Sequence, residues 1–378
     1  MTDDREQNKV TLRINGTDYW GWKSASTLNA LECITNSFNV SVSDRWPGME
    51  DAWTITKGDA CEVLIGTDLV LTGYIEKVHV KFDSKSHTIT VTGRGKTCDL
   101  VDCSAAPQEW VEVDMNGITA EIIAPFGLGL VEEVKTDILN KYAINVGDTC
   151  HCAIEKMANM QGVLVITNEL GDLVITRAGL SGEADDMLVL GGNLLEAELD
   201  DDATHLFSEI KVKGQANTST VAKTQDPYET TVLSRTGIAN DGSGHPPIDR
   251  FRPLIIVTEE QALEADCAFR AGWEASTRTA KGKKLVCKVQ GWRQTTGVLW
   301  KLNTLVRVDC PWSRTEEQWL ISSVNHKIGD KEGSTTDLIL FKPEAFQVLP
   351  SIPAAKAPKK QPQLSGVAAK QLSGVAKK

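Results

Sequence analysis

Short β-prone runs broken by turn residues constrain this chain more than any other feature. From residue 10 to residue 100 the sequence reads as strand, turn, strand almost without interruption. Val10 to Ile14 and Thr17 to Trp22 flank Asn15-Gly16, a dipeptide that supplies the left-handed backbone of a tight hairpin turn. Glu62 to Ile65 and Leu69 to Thr72 flank Gly66 in the same way. Gly73 to Phe82 and His87 to Gly93 follow; Ile89 and Val91 alternate cleanly, whereas Ile75, Val78 and Val80 do so imperfectly. Such a series predicts a small barrel or sandwich.

The middle of the chain changes period. Val134, Ile138 and Tyr142 stand at i, i+4 and i+8, which predicts a helix over 132–142. Thr149 can cap a second helix running to about Met160, with Ile154, Met157 and Ala158 inward. Two apolar runs, 162–167 and 172–176, flank Asn168 to Gly171 as a hairpin, and Gly127-Leu128-Gly129 reads as a turn. Asp200-Asp201-Asp202 reads as a boundary loop. Strands resume at 208–215. Residues 216–247, rich in Thr, Asp, Gly and Pro, read as a long exposed loop. A strand at 252–257 precedes Thr258, which with Gln261 forms a capping-box pattern opening a helix; Ala262, Ala265, Phe269 and Trp273 give it an apolar face. Further strands are expected at 283–292, 305–310 and 318–328. The last region echoes the first. Ile321 and Val324 keep the spacing of Ile75 and Val78, and each strand leads through a turn to another, 88–91 or 337–340. Two copies of one barrel separated by an insertion would leave this trace.

Hydrophobic residues make up 41% and charged residues 24%, an ordinary globular balance for a chain of 378 residues and two to four domains. No run is long and apolar enough to span a bilayer, so no membrane insertion is expected. The polar, acidic start is unlike a signal peptide, and nine scattered cysteines read as reduced thiols, so folding in a cytosol is expected. The net charge is −11, and residues 106–205 alone hold 19 acids against 4 bases. An acidic body does not grip phosphate backbones. From Leu349 the composition collapses to Pro, Ala, Lys, Gln and Ser, which predicts a disordered tail.

Catalytic chemistry is hard to find. Cys150-His151-Cys152 is too closely spaced for a zinc site, and Cys98 and Cys103 add no set of four ligands. The six histidines, at 79, 87, 151, 205, 245 and 326, sit in no nucleophile or metalloprotease motif. Asp185-Asp186 and Asp200 to Asp202 are consecutive acids, read as solvated loops and not as the opposed pair a glycosidase needs. Trp292, Trp300, Trp312 and Trp319 crowd the last β region and read chiefly as core. No catalytic, cofactor-binding or metal-binding residue is assigned, no cofactor is expected, and the chain reads as not an enzyme.

One ordered set of segments is specific. Leu71-Thr72-Gly73-Tyr74-Ile75 leads to Thr92-Gly93-Arg94-Gly95-Lys96 and then to Asp99-Leu100-Val101-Asp102-Cys103-Ser104-Ala105. The set continues with 207–215, Arg252 to Ile256, Arg270 to Glu274, Gly291-Trp292-Arg293 and 297–303. Together they resemble the late-control and baseplate hub family of contractile-tailed phages, nearest the hubs of Mu-like phages and related to the head of type VI secretion spike proteins. The resemblance implies a mainly β fold with α+β insertions: two tube-type β-barrel domains per chain plus inserted α/β domains. The expected domains are a first barrel at 1–105, an α+β insertion at 106–190, a second barrel at 191–220 and 285–349, a loop-strand-helix insertion at 221–284, and the tail at 350–378. The resemblance also implies a homotrimer in the virion's baseplate, assembled in the host cytoplasm. Its expected partners are a tail tube protein, a central spike protein and neighbouring baseplate proteins, with DNA passing and not specifically bound. The strong negative charge of the 106–190 region places it outside such a ring. A tail-associated peptidoglycan hydrolase, a secretion-system spike head and a receptor-binding tail protein are the competing readings.

Overall fold

The computed structural model describes residues 7–43, 55–82, 87–215, 229–233, 250–261, 264–309, 318–329 and 333–347. The first β module comprises β1 (Val10–Ile14), β2 (Thr17–Tyr19), β3 (Ser24–Ala30), β4 (Cys33–Ser43), β5 (Ala60–Ile65), β6 (Asp68–Phe82) and β7 (His87–Gly95). All neighbours are antiparallel, in the order β3-β4-β7-β6-β5-β1-β2. The β1–β2 turn is the expected Asn15-Gly16, at φ +51° and +80°. Leu12, Phe38, Val40, Val63, Ile65, Leu71, Ile75 and Val91 fill the core on one face.

The imperfect alternation in β6 has a mechanical cause. The β6–β7 register slips between Ile75 and Lys77, so Glu76 is the extra residue of a β-bulge. The bulge restores Val78 to the core side three positions after Ile75.

Next comes an α+β module: α1 (Cys98–Asp102), β8 (Glu109–Asp114), α2 (Met115–Ile123), β9 (Leu130–Glu132), β10 (Ile138–Ala143), α3 (Cys150–Gln161), β11 (Leu164–Thr167) and β12 (Leu173–Thr176). Thr149 caps α3 through its hydroxyl, which accepts from the Cys152 N–H at 3.2 Å, and Ile154, Met157 and Ala158 face the core. The helix expected over 132–142 is not there. That segment ends β9 and forms β10, which pairs antiparallel with β8. Ile138 is exposed, and Leu139 and Tyr142 are buried instead. The i, i+4 pattern was a coincidence of a strand with a broken alternation. The helix in this stretch is α2, capped by Asp114, whose carboxylate accepts from the Gly117 N–H at 3.0 Å.

The chain then enters β13 (Leu188–Val189) and β14 (Leu194–Asp201) and leaves for a small module. That module holds β15 (Glu209–Gln215), β16 (Glu229–Leu233), β17 (Pro253–Gln261) and α4 (Glu264–Lys281). Asp200 and Asp201 are therefore not in a loop. They end a strand, opposite Lys284 and Lys283, where alternate charges suit a cross-strand ladder. Glu209–Gln215, expected at the start of the second barrel, pairs with β16 and β17 instead. β16 lies within the expected loop 216–247, whose other residues lie outside the described ones. Thr258 belongs to β17, so the capping box does not operate and the helix begins at Glu264. The buried face of α4 is Cys267, Ala271 and Ala275, small residues packed on Ile210 and Val212. Phe269 is exposed, and Trp273 reaches the backbone, its indole N–H donating to the Gln347 carbonyl at 2.9 Å.

The chain returns in β18 (Lys283–Gln290), β19 (Leu305–Asp309), β20 (Gln318–Gly329) and β21 (Gly333–Phe341). With β14 they make a second β module around Leu285, Cys287, Trp300, Trp319, Ile321, Leu338 and Leu340. Its order is β14-β18-β21-β20-β19, again antiparallel throughout. This repeats β3-β4-β7-β6-β5 strand for strand. The bulge repeats too: the β20–β21 register slips between Ile321 and Ser323, with Ser322 as the extra residue. The sequence echo is thus a structural duplication. Trp292 and Trp300 are buried as expected, while Trp312 lies outside the described residues. So does the tail beyond Gln347.

Candidate assembly surfaces

The duplicated modules are joined edge to edge. β3 pairs antiparallel with β20 from Ala30 opposite Ser323 to Ser24 opposite Gly329, and this ladder makes one 13-stranded sheet of the two. Thr27 and His326 face each other at the joint, Oγ1 to Nδ1 3.4 Å, both buried. Burial there pushes the His326 imidazole down to about 4, so it is neutral at pH 7. Two residues of the second module reach into the first. Trp292 sits in the first module's core, while its indole N–H lies 2.8 Å from the Lys327 carbonyl and 3.0 Å from that of Thr335. The Arg293 guanidinium donates to the Ile65 carbonyl at 3.0 Å and pairs with Asp68 at 2.5 Å.

The motif segments explain themselves locally. Gly73 faces Gly95 across β6–β7, and a Cβ on Gly73 would lie 1.9 Å from the Arg94 carbonyl oxygen. A Cβ on Gly93 would lie 2.3 Å from the Phe38 ring. Arg94 ties the strand end to α1: its guanidinium meets Asp102 at 2.6 Å and the bulge residue Glu76 at 3.2 Å. The hydrogen bond that Arg94 donates and Asp102 accepts holds the Asp102 carboxyl below its usual range and raises the Arg94 guanidinium.

The cysteines, histidines and paired acids are dispersed. Cys150 is buried at the start of α3, its N–H on the Cys103 carbonyl at 3.1 Å. Burial pushes the Cys98 and Cys61 thiols up to about 12, which leaves them protonated and poor nucleophiles at neutral pH. No group of three or more His, Cys, Asp or Glu stands in metal-holding geometry among the described residues. Asp185 and Asp186 are not idle solvated acids: they bind the turn after Trp292, accepting from the Thr296 hydroxyl at 2.7 Å and the Thr295 N–H at 2.7 Å. A cleft of about 810 Å³ where three modules meet is lined by Leu28, Asp68, Glu133, Glu169, Trp300 and His326, among others.

The notable surfaces are edges. β14 presents Glu196, Glu198 and Asp200 on one face, all exposed, with Ala197 and Leu199 turned to the core. β6 runs past its partner β5, and there Lys77, His79 and Lys81 alternate with Val78 and Val80; Val80 is 56% exposed. Sequence reasoning missed both, because such edges follow from the strand order of the described residues and not from local pattern.

Comparison with known proteins agrees with this architecture. Three family models match: the N-terminal domain of Mu phage baseplate assembly protein GpP-like proteins over residues 9–95, the second domain of baseplate hub protein gp44-like proteins over 97–177, and the fourth domain of Mu phage baseplate assembly protein GpP over 264–349. The baseplate hub protein gp44 of Escherichia phage Mu is 31% identical over 348 residues, covering 90% of this chain and 89% of that protein. The 43 kDa tail protein of prophage MuSo2 from Shewanella oneidensis superposes with a TM-score of 0.78 at 28% identity, over 90% of this chain and 100% of that one. A tail protein of Neisseria meningitidis shares the fold at a TM-score of 0.74 and 20% identity, over 90% of this chain and 98% of that one. A mainly β chain with α+β insertions and a matching sequence over nine-tenths of its length belongs to the Mu-like phage baseplate hub family and is a structural protein of the virion's tail baseplate.

Proposed function

We propose that three copies of this chain close a ring at the centre of the baseplate. The ring receives the tail tube on one face and a central spike on the other, and the genome passes through its lumen. The observation that carries this reading is the duplication. Each chain holds two β modules with one strand order and one bulge, so a three-fold ring presents six equivalent units. Such a ring matches a six-fold tube and a three-fold spike at once.

The rest of the chain fits that role. A net charge of −11 offers DNA no phosphate grip, so passage is smooth. The acidic α+β module lies at the periphery, where solvent screens it within roughly 10 Å and neighbouring baseplate proteins can read it. No helix among the described residues is long and apolar enough to cross a membrane. In this reading the ring is assembled in the host cytoplasm. Catalysis is not part of this role.

Light scattering on the purified protein tests the reading. A mass of three chains, with a pseudo-six-fold ring in negative stain, is expected. A monomer at all micromolar concentrations, unchanged by added spike protein, overturns it.

A further inference from the structure

Cys103 and Cys150 stand opposite each other where the first β module hands the chain to the α+β module. Ser104 and Thr149 form an isolated antiparallel bridge. On one side of it the Ala105 N–H donates to the Asp148 carbonyl at 2.9 Å, and on the other the Cys150 N–H donates to the Cys103 carbonyl at 3.1 Å. These two bonds make Cys103 and Cys150 the opposed pair next to the bridge, an arrangement that puts both side chains on one face. Opposed residues of such a pair stand at a Cα separation of roughly 5.5 Å, inside the roughly 4.4–6.8 Å that a disulfide spans.

We propose that Cys103 and Cys150 form an oxidative modification site: two thiols that stay reduced while the chain folds and close to a disulfide when the protein meets a disulfide oxidant of the glutathione class. The site does not depend on the ring reading, since a single chain carries both residues.

The two thiols differ in the way such a closure needs. Cys103 is exposed at the C-terminal end of α1 and meets the oxidant first. Cys150 is buried at the first position of α3. Burial, and then the neighbouring Cys103, push its thiol up, so it stays protonated and unreactive until Cys103 has been modified. In the first step the Cys103 thiolate attacks one sulfur of oxidised glutathione, whose S–S bond breaks; a mixed disulfide forms on Cys103 and one glutathione thiolate leaves. In the second, the Cys150 thiol gives up its proton and attacks the Cys103 sulfur, and the second glutathione thiolate leaves. Two electrons pass from the two cysteines to the oxidant, and their two protons end on the two glutathione thiols.

Neighbouring cysteines are placed elsewhere. Cys152 follows Cys150 on α3 but lies roughly 200° round the helix, beside Lys156. Cys98 opens α1, and its Sγ donates to the Asp99 carboxylate at 3.8 Å.

The bond ties the end of α1 to the start of α3. Leu100 of α1 and Ile154 of α3 share a core with Ile34 of β4, so the cross-link fixes the α+β module against the first β module. It also encloses β8, α2, β9 and β10 in one covalent loop, which takes freedom from the unfolded chain. A tail particle built among reduced thiols and released into oxidising surroundings acquires this clamp after assembly, when its parts are already in place.

The test incubates the full chain with oxidised glutathione under native conditions. Remaining thiols are then blocked in denaturant and the protein is digested without reduction. The expected result is a peptide pair joined through Cys103 and Cys150, with a melting temperature about 5 °C or more above that of the reduced protein, both reversed by dithiothreitol. Cys103→Ser, an exposed change that leaves the core alone, is expected to lose the linked pair and the shift, while Cys152→Ser keeps both. Cys103 holding glutathione that Cys150 never displaces overturns the proposal. So does Cys103 linked to Cys98 or Cys152, or retention of every thiol. A linked pair with an unchanged melting temperature overturns the clamp.

Discussion

Gly58 and Asn303 are counterparts in the two β modules. Each has a left-handed backbone, φ +90° and +60°. Each donates its N–H to the isoleucine that precedes the bulge, Gly58 to Ile75 at 2.7 Å and Asn303 to Ile321 at 3.0 Å, and in each case the next residue accepts from that isoleucine's own N–H. The two differ in their side chains. Asn303 is fully buried; its Oδ1 accepts from the Gly179 N–H at 2.8 Å and its Nδ2 donates to the Arg177 carbonyl at 2.9 Å. The second module thus uses the same backbone device and adds a clamp on the chain leaving the α+β module.

Asn303→Ala loses both clamp bonds and keeps a strained φ, for an expected cost of about 2–4 kcal/mol. Asn303→Gly loses only the bonds and is expected to cost about 1 kcal/mol less. Urea midpoints for the pair decide this, and equal midpoints would show that backbone strain contributes nothing.

The glycines of β6 and β7 are expected to be far less tolerant than glycines in open positions. Gly93→Ala must displace the Phe38 ring, and Gly73→Ala drives a methyl into backbone. The first is expected to cost about 1–3 kcal/mol and the second more, to the point of blocking folding. Gly272, in the exposed middle of α4 with nothing near its missing Cβ, is the contrast: Gly272→Ala is expected to gain about 1 kcal/mol. Thermal melts of the three variants, ranked otherwise, would contradict the packing described.

Acid stability should depend on His326. In the unfolded chain a histidine takes up a proton near pH ~6.5, whereas in the folded chain His326 does so only near 4. The folded state therefore binds fewer protons between these values. The stability present above 6.5 falls as pH drops towards 4 and changes no further below, by up to roughly 3 kcal/mol. Denaturant midpoints between pH 7 and 4.5 are expected to fall more steeply for wild type than for His326→Gln; identical slopes would remove His326 from the account.

Trp292→Ala is expected to cost about 3–5 kcal/mol, because it empties the first module's core from the second module's chain. Trp292→Phe keeps most of the volume and leaves the Lys327 and Thr335 carbonyls without their shared donor, for about 1–2 kcal/mol. A calorimetric scan that splits into two transitions in the alanine variant would show this side chain coupling the modules.

Local signals were legible in the sequence where local chemistry decides. Asn15-Gly16 turned a hairpin, and the Thr149 hydroxyl capped α3. The echo of Ile75 and Val78 in Ile321 and Val324 exposed the duplication, because a bulge leaves an i, i+3 mark in otherwise alternating strands. Non-local pairing hid the rest. Asp200 and Asp201 look like a loop until lysines from more than eighty residues away lie opposite them. Thr258 and Gln261 make a sound capping box, but pairing with β15 claims that backbone for a strand. The helix expected over 132–142 failed for the same reason, since β8 supplies a partner that an i, i+4, i+8 spacing cannot reveal. The assembly edges were invisible because no single segment encodes them.

The ladder from Ala30–Ser323 to Ser24–Gly329 also has a mechanical meaning. Side-chain contacts between domains let them slip or hinge. Seven opposed residue pairs in one hydrogen-bonded ladder do not, because a pull along the strands loads every rung in parallel and none yields before its neighbours. The two modules of a subunit therefore behave as one stiff strut. Torque or compression arriving at either end of that ladder is handed on from one module to the other with little play between them.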